Sequence, residues 1–367
     1  MTERNLSQLV GDSAILVCCG AGGVGKTTTA AALALHAAHQ GRRVVVVTID
    51  PAKRLADTLG IGSLTNTPSR IDGSWPGELW AIMLDTKSTF DALVSRHATD
   101  PGQADRILAN RFYRNISGAL SGTQEYMAGE KVYELHEEYG FDLVVVDTPP
   151  TRNALDFIDA SRRLTNFLDH RLYRMLMSPS RAYLRGAVNL AAHAFVRTVA
   201  KVVGGEVLDD ALAFFSAFDG MEEGFRDRAA RVQALLAEGS TAFVLVASPR
   251  ADTVAEAAFF AAKLGETGIS VSSLIVNRMH PRFGRGRAEA DRERARVLAG
   301  TDLGALFANL AEWRTMADGE EANLAELQSR VAPAPVVRVP FLADDVHDLE
   351  TLAGIGAHLF EGTEPLG

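Results

Sequence analysis

The sequence predicts an α/β protein with a doubly wound, mostly parallel sheet and an inserted α-helical subdomain. Short continuous apolar runs, typical of strands buried on both faces, alternate with helical stretches along the chain. Two long intervals, residues 86–140 and 152–239, instead carry apolar residues mainly at helical spacing. We therefore expect a sheet core from residues 1–85, 141–151 and 240–367, and a helical subdomain built from the two intervals.

The first βαβ unit shows the pattern most clearly. Residues 13–19 predict an apolar strand, residues 26–40 an alanine-rich helix, and residues 43–49 a second apolar strand. Five further strands are predicted at residues 79–84, 141–147, 241–248, 270–277 and 334–340. Because these strands are spread over the whole chain, they indicate one sheet rather than two separate domains.

Length and charge exclude several classes of protein. The chain has 367 residues, of which 47% are hydrophobic, so it can bury a large core and is not disordered as a whole. Its 46 acidic and 37 basic residues give a net charge of -9, which disfavours broad binding to nucleic acid or anionic membrane. Residues 183–203 come nearest to a membrane span, but basic and histidine side chains interrupt them. A buried or groove-lining helix is expected there instead.

The two cysteines bear on compartment. Cys18 and Cys19 are adjacent on a predicted strand, so their side chains point to opposite faces and do not pair with each other. The sequence has no disulfide framework and no Cys-x-x-Cys metal motif, as expected of a protein in the reducing cytoplasm. The N-terminal apolar run, residues 14–19, is too short for a signal-peptide core and leads into a glycine loop.

That glycine loop is the strongest functional signal. Residues 20–27 read GAGGVGKT, which fits the G-x-x-x-x-G-K-[ST] pattern between a predicted strand and a predicted helix. In such a loop the backbone N–H groups and the helix N-terminus face phosphates. The lysine reaches the β- and γ-phosphates, and the first threonine hydroxyl binds Mg²⁺. ATP and Mg²⁺ are thus the expected ligands, and the predicted nucleotide-binding residues are Gly22, Gly23, Val24, Gly25, Lys26, Thr27 and Thr28.

Two aspartates follow predicted strands. Asp50 ends the second strand, beyond which ligands of parallel sheets bind, and it could orient the attacking water or hold Mg²⁺ through a water. It could equally cap the next helix, with Pro51 at the first helical position, and the two roles are compatible. Asp147 ends another apolar strand, the Walker B arrangement for a Mg²⁺ site. The turn at residues 148–151 could sense the γ-phosphate, as switch loops do.

Together these motifs resemble those of the ArsA-like ATPases, a family of P-loop NTPases of the deviant-Walker class. It includes the arsenite-pump ATPase and the targeting factor for tail-anchored proteins, and the wider group includes MinD and ParA. GAGGVGKTT looks like the family's P-loop, TIDPAKRLADTLG like its switch I and VVVDTPPTRNALDF like its switch II. The resemblance covers nearly the whole chain and is nearest in kind to bacterial anion-transporting ATPase-like members.

The resemblance implies roles for individual residues. Asp50 would position the hydrolytic water, so that Asp50 and Lys26 are the candidate catalytic residues, and Asp147 would support Mg²⁺ beside Thr27. Asn277, in the segment LIVNR, matches the family's adenine-reading asparagine. Pro340 and Phe341, after the last predicted strand, match the loop that encloses the base.

The sequence also departs from the family pattern. The family's P-loop usually carries a second lysine that reaches across a dimer, and Ala21 stands at that position here. Hydrolysis could therefore be slow, a partner chain could supply the lysine, or an arginine could replace it, the candidates being Arg278, Arg282, Arg285 and Arg287. The positions of Cys18 and Cys19 disfavour arsenite pumping and a zinc-clasped dimer. No second ATPase half is present, so an assembly with two sites needs two chains.

The function expected from these observations is a Mg²⁺-dependent ATPase whose homodimer or heterodimer handles an apolar client under nucleotide control. Methionine and phenylalanine at helical spacing could line an adaptable groove for that client, or form the subdomain's own core. They include Met175, Met177, Phe214, Phe215 and Phe218.

Two alternatives remain open. One is a regulatory subunit with weak or no hydrolysis, paired with an active paralogue; Ala21 favours it and Asp50 opposes it. The other is a ParA- or MinD-type positioning ATPase. The acidic balance and the absence of a basic amphipathic segment near residue 367 disfavour that second alternative.

Overall fold

The computed structural model describes residues 5–50, 54–116, 123–149, 152–169 and 205–361. The chain divides into two compact units. The first comprises Met1–Met83, Leu135–Leu155 and Glu238–Gly367, and the second Leu84–Glu134 and Asp156–Ala237. Within the described residues, no helix combines the length and the apolar character that a membrane span requires.

The first unit is built on an eight-stranded sheet in the order β3-β4-β2-β5-β1-β6-β7-β8. The strands are β1 Ile15–Gly20, β2 Arg43–Thr48, β3 Ser69–Ile71, β4 Glu78–Met83, β5 Leu143–Asp147, β6 Thr241–Ala247, β7 Val271–Met279 and β8 Val336–Pro340. All neighbouring pairs are parallel except β3 with β4. The predicted doubly wound, mostly parallel sheet is therefore confirmed.

The edge strand β3 was not predicted. It has only three residues and pairs antiparallel with β4 through Ser69, Arg70 and Ile71. Only Ile71 is buried, so the segment carries no continuous apolar run. A strand this short leaves no periodic pattern in the sequence.

Helices fill the connections. In chain order they are α1 Leu6–Asp12, α2 Lys26–His39, α3 Arg54–Thr58, α4 Thr86–His97, α5 Pro101–Ala109, α6 Arg111–Ile116, α7 Thr123–Tyr133, α8 Arg152–Asp169, α9 Gly205–Phe218, α10 Glu222–Ala237, α11 Ala251–Glu266, α12 Ala288–Val297, α13 Asp302–Val331 and α14 Leu349–Phe360. A single π-helical turn, Glu134–Glu138, follows α7. Helix α2 is buried on nearly every side because its alanines allow close packing against β2 and β5.

The second unit has its own aromatic core. Phe214, Phe218 and Phe225 are buried there with Tyr113, and Phe90 packs against them. The first two of these belong to the set considered for a client groove, and each is only 6% exposed. These two phenylalanines are thus core residues of the unit. Phe215 is half-buried beside them, whereas Met175, Met177 and residues 183–203 lie outside the described residues.

Candidate nucleotide-binding site

The phosphate loop joins the end of β1 to the start of α2. Gly23 and Gly25 have φ values of +74° and +96°, in the left-handed region that glycine adopts without strain. At Gly25 a Cβ atom would also lie 2.3 Å from Nδ2 of Asn277, so a side chain there would displace the Asn277 amide. Ala21 and Val24 are buried and anchor the loop to the core. The backbone thus has the conformation that the glycine pattern predicts.

Lys26 begins α2 and lies against the loop. Its Nζ donates a hydrogen bond to the Ala21 carbonyl oxygen at 2.8 Å, and the residue is 8% exposed. Burial lowers the pKa of Lys26, and Asp147, Cys19 and Asp50 partly oppose that shift. A desolvated ammonium group at a helix N-terminus gains strongly from an anion placed beside it.

Asp147 lies at the centre of the site because of the strand register. It is opposite Cys18 of β1 and Thr48 of β2. Its Oδ2 accepts hydrogen bonds from Oγ1 of Thr27 at 2.8 Å and from Oγ1 of Thr48 at 2.9 Å. Its Oδ1 is buried and has no hydrogen-bond partner in the described parts of the chain. Burial raises the pKa of this carboxyl, although the two hydroxyls and Lys26 lower it.

This donor set fits Mg²⁺. In nucleotide sites that ion takes a hydroxyl and one or two carboxylates from the protein, and its remaining ligands from phosphates and water. Thr27 and the unpartnered oxygen of Asp147 supply groups of this kind. The described residues hold no group of three or more His, Cys, Asp or Glu side chains that could bind a metal ion without phosphates.

We expect Asp147→Asn to stabilise the nucleotide-free protein at neutral pH. Because burial raises the pKa of Asp147, the folded state keeps its proton over a pH range in which the unfolded state has lost it. Stability therefore falls as pH rises through that range, upward from the ordinary aspartate value of about 4. Asparagine stays neutral and can still accept from both threonines. In thermal melts with chelator, its Tm should exceed that of wild type by about 2 °C or more at pH 7.5 and by less at pH 5.

The control for this substitution is Asp105→Asn, which changes an exposed aspartate of α5 and should leave Tm unchanged at both pH values. A lower Tm for Asp147→Asn at pH 7.5 would contradict the interpretation.

Asp50 follows β2 at the same edge of the sheet. It is half-buried and lies close enough to Lys26 and Asp147 to raise the pKa of both. After β5, the Thr148 hydroxyl donates to the Cys18 carbonyl oxygen at 2.8 Å, which fixes the start of the following turn. Residues 51–53 and 150–151, including the proposed helix start at Pro51, lie outside the described residues.

The predicted base-binding residues lie on the other side of the loop. Asn277 of β7 donates from Nδ2 to the Val24 carbonyl oxygen at 2.9 Å, so its amide contacts the loop itself. Pro340 ends β8, and the Phe341 N–H donates to the Met279 carbonyl oxygen at 2.8 Å. The Phe341 ring is 57% exposed and stacks on His280 with centroids 5.7 Å apart. Contact of these residues with a base stays a prediction.

The sequence interpretation missed Thr48, the second hydroxyl on Asp147. A polar residue ending the apolar run of β2 was the available signal. The cysteines agree with the packing role expected of them. Cys18 and Cys19 are free and fully buried, and burial raises the pKa of both thiols, which disfavours the reactive thiolate.

Comparison with known proteins gives consistent matches. The ArsA_ATPase family model, described as anion-transporting ATPase, matches residues 13–294. The ATPase ARSA2 of Chlamydomonas reinhardtii is 26% identical over 268 residues, which are 71% of this chain and 66% of that protein. The ATPase GET3B of Arabidopsis thaliana is 28% identical over 280 residues, or 71% of this chain and 63% of the relative. The ATPase asna-1 of Caenorhabditis elegans is 28% identical over 145 residues, which are 37% of this chain and 42% of that protein. The match thus spans at most about two thirds of these relatives.

Proposed function

The chain belongs to the ArsA_ATPase family of anion-transporting ATPases, and from that membership we propose that it binds ATP with Mg²⁺ and hydrolyses it. The observation that carries the proposal is the convergence of Lys26, Thr27 and Asp147 on one edge of the sheet. Asp147 keeps a buried oxygen without a hydrogen-bond partner there, among the residues described. A buried cation and an unpartnered carboxylate oxygen are suited to a triphosphate and its metal ion.

The proposed roles follow from the charges. Lys26 would neutralise the β- and γ-phosphates, and the loop N–H groups would hold the phosphate oxygens. Thr27 and Asp147 would hold Mg²⁺, which when bound neutralises charge that develops on the phosphate oxygens. Asp50 would orient the attacking water from the end of β2, with its carboxylate accepting a hydrogen bond from that water.

We further propose that the protein works in the cytoplasm as a homodimer or heterodimer whose helical unit binds an apolar client under nucleotide control. The single phosphate loop per chain supports two chains as the source of two sites. Because Phe214 and Phe218 form the unit's core, we assign the client surface to other residues of that unit.

One observation favours a second candidate, the regulatory subunit with weak hydrolysis. Ala21 is 2% exposed and packed in the core of the first unit. It places no positive charge at the position where the family usually has its second lysine. In this candidate the active paralogue would supply that charge to the shared assembly.

Single-turnover hydrolysis of the purified chain separates these functions. The chain is mixed in excess with radiolabelled ATP, with Mg²⁺ or with chelator, alone and with a paralogue. The ATPase proposal predicts Mg²⁺-dependent turnover by the chain alone, and dimers in light scattering with a non-hydrolysable ATP analogue. Turnover only in the presence of the paralogue would favour the regulatory subunit. If ATP binds neither to the chain alone nor to the chain mixed with the paralogue, both proposed functions are refuted.

A further inference from the structure

The end of β7 has an irregular backbone. The parallel pairing of β7 with β8 shifts register between Val276 and Met279, as it does at a β-bulge. Within this interval Arg278 has a φ of +66°, a left-handed conformation that residues other than glycine rarely adopt. Conformations of this kind persist where the surroundings enforce them, and they concentrate at functional sites. Bulges beside such sites often redirect a side chain.

The redirected side chains contact the phosphate loop. Nη1 of Arg278 donates to the Gly23 carbonyl oxygen at 3.0 Å, and Nδ2 of Asn277 donates to the Val24 carbonyl oxygen at 2.9 Å. The Arg278 N–H in turn donates to Oδ1 of Asn277 at 2.9 Å, which ties the two residues together. Two consecutive residues of the bulge therefore hold two consecutive carbonyl groups of the loop.

These hydrogen bonds also determine where the N–H groups of the loop point. In a trans peptide the C=O and N–H groups point in opposite directions. Holding the Gly23 carbonyl toward β7 turns the Val24 N–H away from β7, and holding the Val24 carbonyl does the same for the Gly25 N–H. Phosphate loops bind anions through such aligned N–H groups. The bulge thus fixes the orientation of both peptides, and with it the direction of their N–H groups.

We propose that Arg278 is a positioning residue of the phosphate site, which acts through the Gly23 carbonyl to keep the Val24 N–H directed at a bound polyphosphate. That a nucleotide binds at this loop rests on the function proposed above, whereas the contact between Arg278 and the loop is seen in the structure. Arg296 of α12 makes a useful comparison, since its exposed guanidinium pairs with Glu293 on the surface of the same helix.

The test uses substitutions of Arg278 in the full chain. Arg278→Gly removes the guanidinium but suits a φ of +66°, so its Tm should not fall below that of wild type. Affinity for a fluorescent ATP analogue with Mg²⁺ should fall about tenfold, the value of one charged hydrogen bond. Arg278→Lys can still donate to the Gly23 carbonyl and should recover most of the affinity. The control Arg296→Gln, a change in an exposed arginine of α12, should bind as wild type does.

Nucleotide-free crystal structures of wild type and Arg278→Gly test the contact without any ligand. We expect the Gly23–Val24 peptide to rotate, or to take two orientations, in the variant alone. Unchanged affinity together with an unchanged peptide would overturn the proposal, and so would an equal loss of affinity in Arg296→Gln. If wild type binds no nucleotide, the proposed function fails, and the peptide orientation still decides the role of Arg278.

Discussion

We expect Lys26→Ala to weaken ATP binding by about a hundredfold or more, because two favourable contributions disappear together. The ammonium group is buried against the loop, where its attraction to phosphate is screened far less than in water. It also donates to the Ala21 carbonyl oxygen, which helps hold the first turn of the loop. The measurement is equilibrium titration of the purified chain with a fluorescent ATP analogue in the presence of Mg²⁺.

In the absence of nucleotide, the Lys26→Ala variant should be more stable than wild type, although it binds ATP less tightly. Burial lowers the pKa of Lys26, so the charged form is held in the fold at a cost when no anion is present. Lys263→Ala is the matched control, since that lysine is only half-buried, lies outside the loop and pairs with Glu266 of α11. The control should bind ATP as wild type does. Binding by Lys26→Ala within threefold of wild type would contradict the proposed phosphate site.

The sheet was predictable because its strands are continuous apolar runs. Val44, Val46, Leu143 and Val145 are all fully buried, and a strand covered by helices on both faces requires such runs. The order in which the strands pair was not predicted from the sequence. The edge strand β3 was not predictable, since three residues with one buried side chain give no periodic signal.

The site was predictable where a short motif fixes the chemistry. The glycine and lysine spacing of the loop around Lys26 is specific to phosphate loops. Asp147 ends a strand that its apolar run identifies. Contacts that depend on register were not predictable. Arg278 meets Gly23 across 255 positions of sequence and only because a bulge redirects it. The sequence interpretation named Arg278 only as one of four candidate replacements for the missing second lysine, which is a different role.

In the helical unit, prediction from the sequence failed for a different reason. Helical spacing of large apolar residues is the same whether they face a core or a groove. Phe214 and Phe218 therefore fitted both interpretations until the structure placed them with Tyr113 and Phe225 in the core. Which residues meet a client depends on the packing of several helices, and this cannot be read from the periodicity of one.

We expect Asp50→Asn to keep ATP binding and to slow turnover by about a hundredfold or more, the range typical of a lost general base or water-orienting group. The substitution keeps shape and removes one negative charge. Asp50 raises the pKa of both Lys26 and Asp147, which places its charge in the same site as theirs. Removing a negative charge beside a triphosphate strengthens the direct attraction for it, so affinity should stay equal or increase where Asp50 does not hold Mg²⁺.

Single-turnover hydrolysis and equilibrium binding, measured on the same preparation, separate the two roles proposed for this residue. If Asp50 orients the water, the rate falls at every Mg²⁺ concentration and the Mg²⁺ dependence of binding is unchanged. If it holds Mg²⁺ through a water, added Mg²⁺ restores part of the rate. Asp105→Asn, which changes an exposed carboxylate of α5, should change neither quantity. Turnover of Asp50→Asn at the wild-type rate would mean that a group other than Asp50 orients the water.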